Sequence, residues 1–201
     1  MLVNSVNAHF NAAANIPMRI TSQVLLTGKD AKGRNISAED LVQSGFIEIC
    51  SKDKKFALDG AAIDLGSNMI MNNGWQYISY LVGGRSPAAA YCVSRFGIGT
   101  GTLVNNSTLT DLSAPVNFYD PGSGAIATKP VSAVDYPDPF RVQFALTLDA
   151  AEAVGVAITE LGLYAYNSGT EQAVLFARKT VTAINKTADW SPTLLWQLKF
   201  G

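Results

Sequence analysis

The apolar positions change period along the chain. Over the first seventeen residues, "MLVNSVNAHFNAAANIP", they keep no steady spacing, and Asn and Ala dominate up to Pro17. This predicts an arm that is ordered only where something holds it. "RITSQVLLTG" then sets Ile20, Val24 and Leu26 in a β-like run with a breaker at Gly28, and "KDAKGRN" reads as a polar turn. In "SAEDLVQSG", Ser37 stands three residues before Asp40 and Gly45 closes the segment, which predicts one or two helical turns and then a strand at "FIEIC".

The period lengthens in "DLGSNMIMNNGWQYISYLVGG". Met69 or Ile70, Trp75, Ile78, Leu81 and Val82 recur at spacings of three and four, and Gly83-Gly84 ends the run. This is the main predicted helix, with Ser67 as its cap and the Met and aromatic stripe packed into the core. Beyond "GGRSPAAA" the pattern is β to the end. "YCVSRFGIG" is the first run, and "FRVQFALTL" alternates Phe140, Val142, Phe144, Leu146 and Leu148 with Arg141, Gln143, Ala145 and Thr147. "VGVAITELGLYAYNSG" reads as two short strands or one strand bent at Thr159-Glu160, with a turn at Asn167-Ser168-Gly169; "AVLFARKTVTAI" and "TLLWQLKF" complete the set.

Short strands between regular turn signals predict a mainly β fold: an antiparallel β-sandwich, jelly-roll-like, with one main α-helix and an extended N-terminal arm. The expected organisation is an arm at 1–17, a strand and short-helix region at 18–66, and a helix plus β-sandwich domain at 67–201.

With 201 residues the chain buries a sizeable core without disulfides or metals. Its formal charge is −1 and only 15% of residues are charged, against about a quarter in ordinary soluble chains. The nearest approach to a basic patch, Lys52, Lys54 and Lys55, is interrupted by Asp53, so no nucleic-acid partner is expected. Low charge with 48% hydrophobic residues predicts a surface meant for another protein. Cys50 and Cys92 stand apart and are expected as buried thiols. No stretch has the pattern of a signal peptide or a membrane span, so neither export nor a membrane partner is expected.

Candidate chemistry is sparse. "FGIGTGT" at 96–102 gives G-x-G-x-G, whereas a dinucleotide site needs G-x-G-x-x-G opening a helix, and no P-loop Gly-Lys-Ser/Thr occurs; no cofactor is expected. The sole histidine, His9, lies in the arm, which argues against a Ser-His-Asp mechanism, and "PGSGA" around Ser123 lacks nucleophile-elbow spacing. Asp120 in "FYDPG" and Asp135 and Asp138 in "DYPDP" fall in Pro-rich segments expected to be loops. There, turn chemistry competes with paired-carboxylate catalysis and with calcium, and Tyr119 and Tyr136 could offer a sugar-stacking platform. His9, Phe10, Tyr119, Asp120, Tyr136 and Asp138 are the candidate assembly or ligand contacts. Glu160, the one acid inside an apolar run, is expected as a buried hydrogen-bond acceptor at a strand bend.

Taken in order, "NMIMNNGWQYISYLVGG", "FGIGTGT", "NNSTLTDLSAPV" and "ITELGLYAYNSGTEQAVLFARKTVTAINKTADWSPTLLWQLKF" resemble a group of tailed-bacteriophage virion structural proteins. In that group N-x-I-x-N-x-G leads to GxGT and T-x-L, then I-T-E-x-G-L-Y/F, L-F-A-R and I-x-K-T. The resemblance covers roughly residues 67–201 and assigns no catalytic residue. It implies a noncatalytic homo-oligomeric block, a trimer or ring, of the head surface, neck, or tail and baseplate. Its partners would be copies of itself and other virion proteins, and its place the virion, assembled in the host cytoplasm. The alternative reading is a carbohydrate- or receptor-binding module of a phage tail or adhesin.

Overall fold

The computed structural model describes residues 20–47, 56–57, 61–84, 91–104, 106–121 and 128–201. The predicted arm at 1–17, with His9 and Phe10, lies outside them, as do Cys50 and Ser123. The described residues form a β-sandwich of two antiparallel sheets with two helices.

The first sheet is ordered β3 (Phe56–Ala57), β4 (Ala62–Ser67), β1 (Ile20–Asp30), β13 (Trp190–Phe200), β10 (Arg141–Thr147), β9 (Ala133–Asp138), with β2 (Asn35–Ile36) added to β1. The second is ordered β5 (Met69–Ile70), β12 (Gln172–Asn185), β11 (Ala157–Asn167), β6 (Cys92–Gly99), β7 (Pro115–Val116), with β8 (Lys129–Pro130) added to β6. Alternation decides which faces meet. Trp190, Leu194, Trp196 and Leu198 of β13, Phe144 and Leu146 of β10 and Val24 and Leu26 of β1 are buried in one cluster with Phe96 and Ile98 of β6 and Ile158, Leu161 and Leu163 of β11.

β1 therefore sits in the middle of the first sheet, and Leu41 of α1 (Ala38–Gln43) joins the same cluster. The boundary expected at 66/67 does not separate two cores, because strand pairing of β1 with β13 draws the N-terminal strand across the fold. β1 also runs through Gly28 to Asp30 rather than stopping there; the missing side chain makes room for the Trp190 indole. Ser37 caps α1 as expected, accepting from the Asp40 N–H at 3.1 Å.

The main helix, α2 (Asn72–Val82), begins later than its apolar spacing predicts. Ser67, Met69 and Ile70 are in strands, and Met71, not Ser67, holds the cap position without a side-chain bond. Only Gly74 of the helix is fully buried, and a Cβ there would overlap the Phe176 carbonyl of β12. Tyr77 and Ile78 pack on the core, but Trp75, Leu81 and Val82 are exposed, so most of the expected stripe faces outward. Cys92 is likewise exposed rather than buried, at the start of β6. No helix among the described residues is long and apolar enough to cross a membrane.

Candidate functional site

The centre of β11 is buried on both faces, since residues 160–165 are all shielded from solvent. Leu161, Leu163 and Ala165 face the main core. On the other side Tyr164 packs with Met71, Leu112 and Leu175 in a second small cluster. This cluster and Glu160 lie beneath the long connection from β6 to β7, residues 100–114.

Glu160 organises that connection. Its Oε1 accepts the backbone N–H groups of Ala114 at 2.7 Å and Gly101 at 3.2 Å, and its Oε2 accepts the N–H and hydroxyl of Ser113 at 3.1 and 3.0 Å. Arg178 of β12 donates to Oε2 from Nη2 at 2.5 Å and Nε at 3.1 Å, with neither side chain exposed. Its Nη1 reaches the Leu103 carbonyl at 3.0 Å and Thr180 Oγ1 at 3.3 Å. Burial pushes the Glu160 carboxyl up. The Ala114 N–H, the Arg178 guanidinium and the Ser113 donors outweigh it and hold the group below the ordinary carboxylate range.

The "FGIGTGT" stretch thus ends a strand against a carboxylate. A Cβ on Gly99 would stand 2.6 Å from Glu160 Oε1, and one on Gly101 would overlap both Glu160 and Ser113. These glycines admit a carboxylate from the protein itself, and the strand bend expected at Glu160 is present as a register shift between Ile158 and Glu160. Arg178 is wholly buried, and its guanidinium neutralises Glu160.

The same clamp positions residues 103 and 104. The Leu103 carbonyl is held by Arg178 and Thr180, while the Leu103 and Val104 side chains are exposed. Together with Met69, Asn106, Ser107 and Leu109 they line an open, largely apolar groove of about 660 Å³. Its other wall is pinned by the Asn72 N–H on the Ser107 carbonyl at 2.9 Å, at the start of α2. Beneath it the Tyr164 hydroxyl donates to Asp111 Oδ1 at 2.5 Å; burial and the adjacent carboxylate push this phenol well up.

A second buried polar group secures the turn at 149–156. Glu152 Oε2 accepts from Lys129 Nζ at 2.5 Å and from the Asp149 N–H at 2.8 Å. Burial pushes Glu152 up, and Lys129 with that N–H brings it below its ordinary value. Buried Lys186, pushed down by burial, donates from Nζ to the Ala150 and Thr187 carbonyls at 2.8 and 2.6 Å. Among the described residues no group of three or more His, Cys, Asp or Glu is placed to hold a metal ion.

The candidate contacts are dispersed. Tyr119 and Asp120 come just after β7, their N–H groups both bonded to Asn117 Oδ1, and the Tyr119 phenol, pushed up by Glu152, is turned to that carboxylate. Tyr136 and Asp138 lie on β9, the edge of the other sheet, and not in a loop as their prolines suggest; Pro137 is tolerated because an edge strand leaves N–H positions unpaired. Asp135 Oδ1 accepts the Tyr136 N–H and Asp138 Oδ1 the Phe140 N–H, both at 2.9 Å, so these acids do the local hydrogen bonding of turns. Arg178, Asp111, Glu152 and Lys186 carried no signal beyond being charged residues in or beside apolar runs. The chain matches no family model, no curated protein and no solved structure in the comparisons made with each.

Proposed function

We propose that the protein is a non-enzymatic structural component of a tailed-bacteriophage particle, a homo-oligomeric decoration, collar or adaptor protein that binds other virion proteins. The observation that carries this reading is the clamped loop. A buried ion pair and its hydrogen bonds tie residues 101, 103, 113 and 114 to β11 and β12, and Leu103 and Val104 stand exposed beside an apolar groove. A preorganised apolar surface loses little conformational entropy on association. Trp75, Leu81 and Val82 add exposed apolar area on α2, and low overall charge suits a surface that packs against protein. The ordered motifs from 67 to 201 supply the phage assignment.

The test is solution mass by light scattering on the full chain, on a Leu103→Asp/Val104→Asp variant, and on a chain lacking residues 1–17. The expected result is a discrete trimer or larger ring that the double variant dissociates without unfolding. A chain that stays monomeric at every concentration and is not retained by assembled particles would sink it. The second reading, a carbohydrate- or receptor-binding module, draws on Tyr136, which is 72% exposed on its edge strand. It predicts a glycan affinity that Tyr136→Ala abolishes.

A further inference from the structure

The outward face of the first sheet carries side chains in cross-strand rows. Gln197 donates to Gln143 at 2.7 Å, and the Thr147 and Thr193 hydroxyls pair at 3.1 Å. The row nearest the start of β1 is different. Thr21 stands opposite Lys199, and Lys199 stands opposite Arg141, which puts two cations side by side on adjacent strands. Like charges in that position repel.

The fold relieves only part of this repulsion. Asp138 Oδ2 lies 3.1 Å from Arg141 Nη2. Arg141 Nε is buried without an acceptor, and the exposed Lys199 side chain makes no hydrogen bond or ion pair among the described residues. Among the described residues, Thr21, Ser22, Gln23, Arg141, Gln197 and Lys199 line a polar hollow of about 280 Å³, and none of them carries a carboxylate. The side chains of Thr21 and Gln23 are also without hydrogen-bond partners among the described residues. Residues 1–19 contain no Asp or Glu.

We propose that this hollow binds a compact oxyanion, a phosphate or sulfate group, either free or as the terminal group of a small molecule. Arg141 supplies a directional N–H from a permanently charged plane and Lys199 a mobile point charge, the pairing that suits phosphate oxygens. Thr21 and Gln23 supply neutral donors. The bound anion removes the Arg141–Lys199 repulsion. The site is independent of the assembly reading.

The experiment is amide and arginine-Nε NMR on the full chain, titrated with inorganic phosphate, sulfate and phenyl phosphate at constant ionic strength, with chloride as the reference anion. Saturable shifts confined to Thr21, Gln23, Arg141 and Lys199 are expected. Arg141→Gln and Lys199→Gln should each weaken binding about tenfold or more, while Lys29→Gln, exposed at the far end of β1, leaves it unchanged. Tighter binding of phosphate than of phenyl phosphate identifies a free-ion site, and the reverse a terminal-group site. Shifts that stay linear in anion concentration, or binding that survives Lys199→Gln at this exposed position, would overturn the proposal.

Discussion

The Glu160 carboxylate and the Arg178 guanidinium meet at 2.5 Å, eighteen positions apart in sequence and both fully buried, on neighbouring strands β11 and β12. Each has a second set of obligations: Glu160 to the N–H groups of Gly101, Ser113 and Ala114, Arg178 to the Leu103 carbonyl. The pair is therefore a staple between the second sheet and the connection that crosses it.

A buried ion pair is often replaceable by apolar residues at little cost, because burying the charges was itself expensive. Here the replacement should fail. Glu160→Ala leaves the Arg178 charge uncompensated and is expected to cost about 3–5 kcal/mol. The double variant Glu160→Leu/Arg178→Met also remains destabilised, since three backbone N–H groups lose their acceptor at about 1–3 kcal/mol for each one left buried. Urea unfolding of Glu160→Ala and of the double variant measures this, and a double variant as stable as the parent would show that the backbone bonds contribute nothing.

The glycines that admit Glu160 give a separate prediction. Gly101→Ala drives a methyl group into the carboxylate and Ser113, and Gly99→Ala into the Ala114 carbonyl and Glu160, so each is expected to cost about 1–3 kcal/mol as overpacking. Gly169→Ala, whose added atom would meet only Asn167 Oδ1 at 3.3 Å, should stay within about 0.5 kcal/mol of the parent. Thermal unfolding of the three variants decides it; equal losses at all three positions would count against a close-approach role for the first two.

Alternation made the two-sheet fold legible wherever one face is buried and the other wet, as in β10 and β13. It also marked Glu160 as an acceptor at a bend, because an acid within "AITELGLYAY" has no other economical place. Residues 160–165 hid the rest. Buried on both faces, they read as a continuous apolar run and disclose neither the second cluster nor the loop that covers it. Arg178 was hidden by locality: its partner and the carbonyl it holds belong to other segments of the chain. The helix start was obscured for a related reason. Met69 and Ile70 fit a spacing of three and four, but pairing with Arg178 and Ala177 claims them for the sheet edge.

Tyr164 should report on the covering loop. Its phenol, pushed up by burial and by the Asp111 carboxylate, stays protonated in the folded state above the ordinary tyrosine range, whereas the unfolded state ionises near pH 10. The folded form then holds the extra proton, so stability falls as pH rises past that value. In a phenolate absorbance titration one of the seven tyrosines should ionise only as the protein unfolds, and Tyr164→Phe should remove that delayed component. Its persistence in the variant would assign the effect elsewhere.

Acid has the opposite sign at Glu160. Its folded pKa is depressed, so below the ordinary glutamate value of about 4.3 the unfolded state takes up a proton that the folded state resists. The stabilisation is complete above that value and is lost as pH falls through the folded pKa. Glu152, depressed as well, adds to the same slope, while Lys186, lowered by burial, changes protonation on the alkaline side and leaves this window clear. Glu160→Gln should therefore be less stable than the parent at pH 7, with the gap narrowing steadily through the acid limb. Urea midpoints taken across that limb test the point. Parallel curves for the two proteins would mean that Glu160 takes up its proton equally in the folded and unfolded states, so that Arg178 and the N–H donors do not depress it; a gap that widens toward acid would mean that Glu160 is already protonated in the folded state.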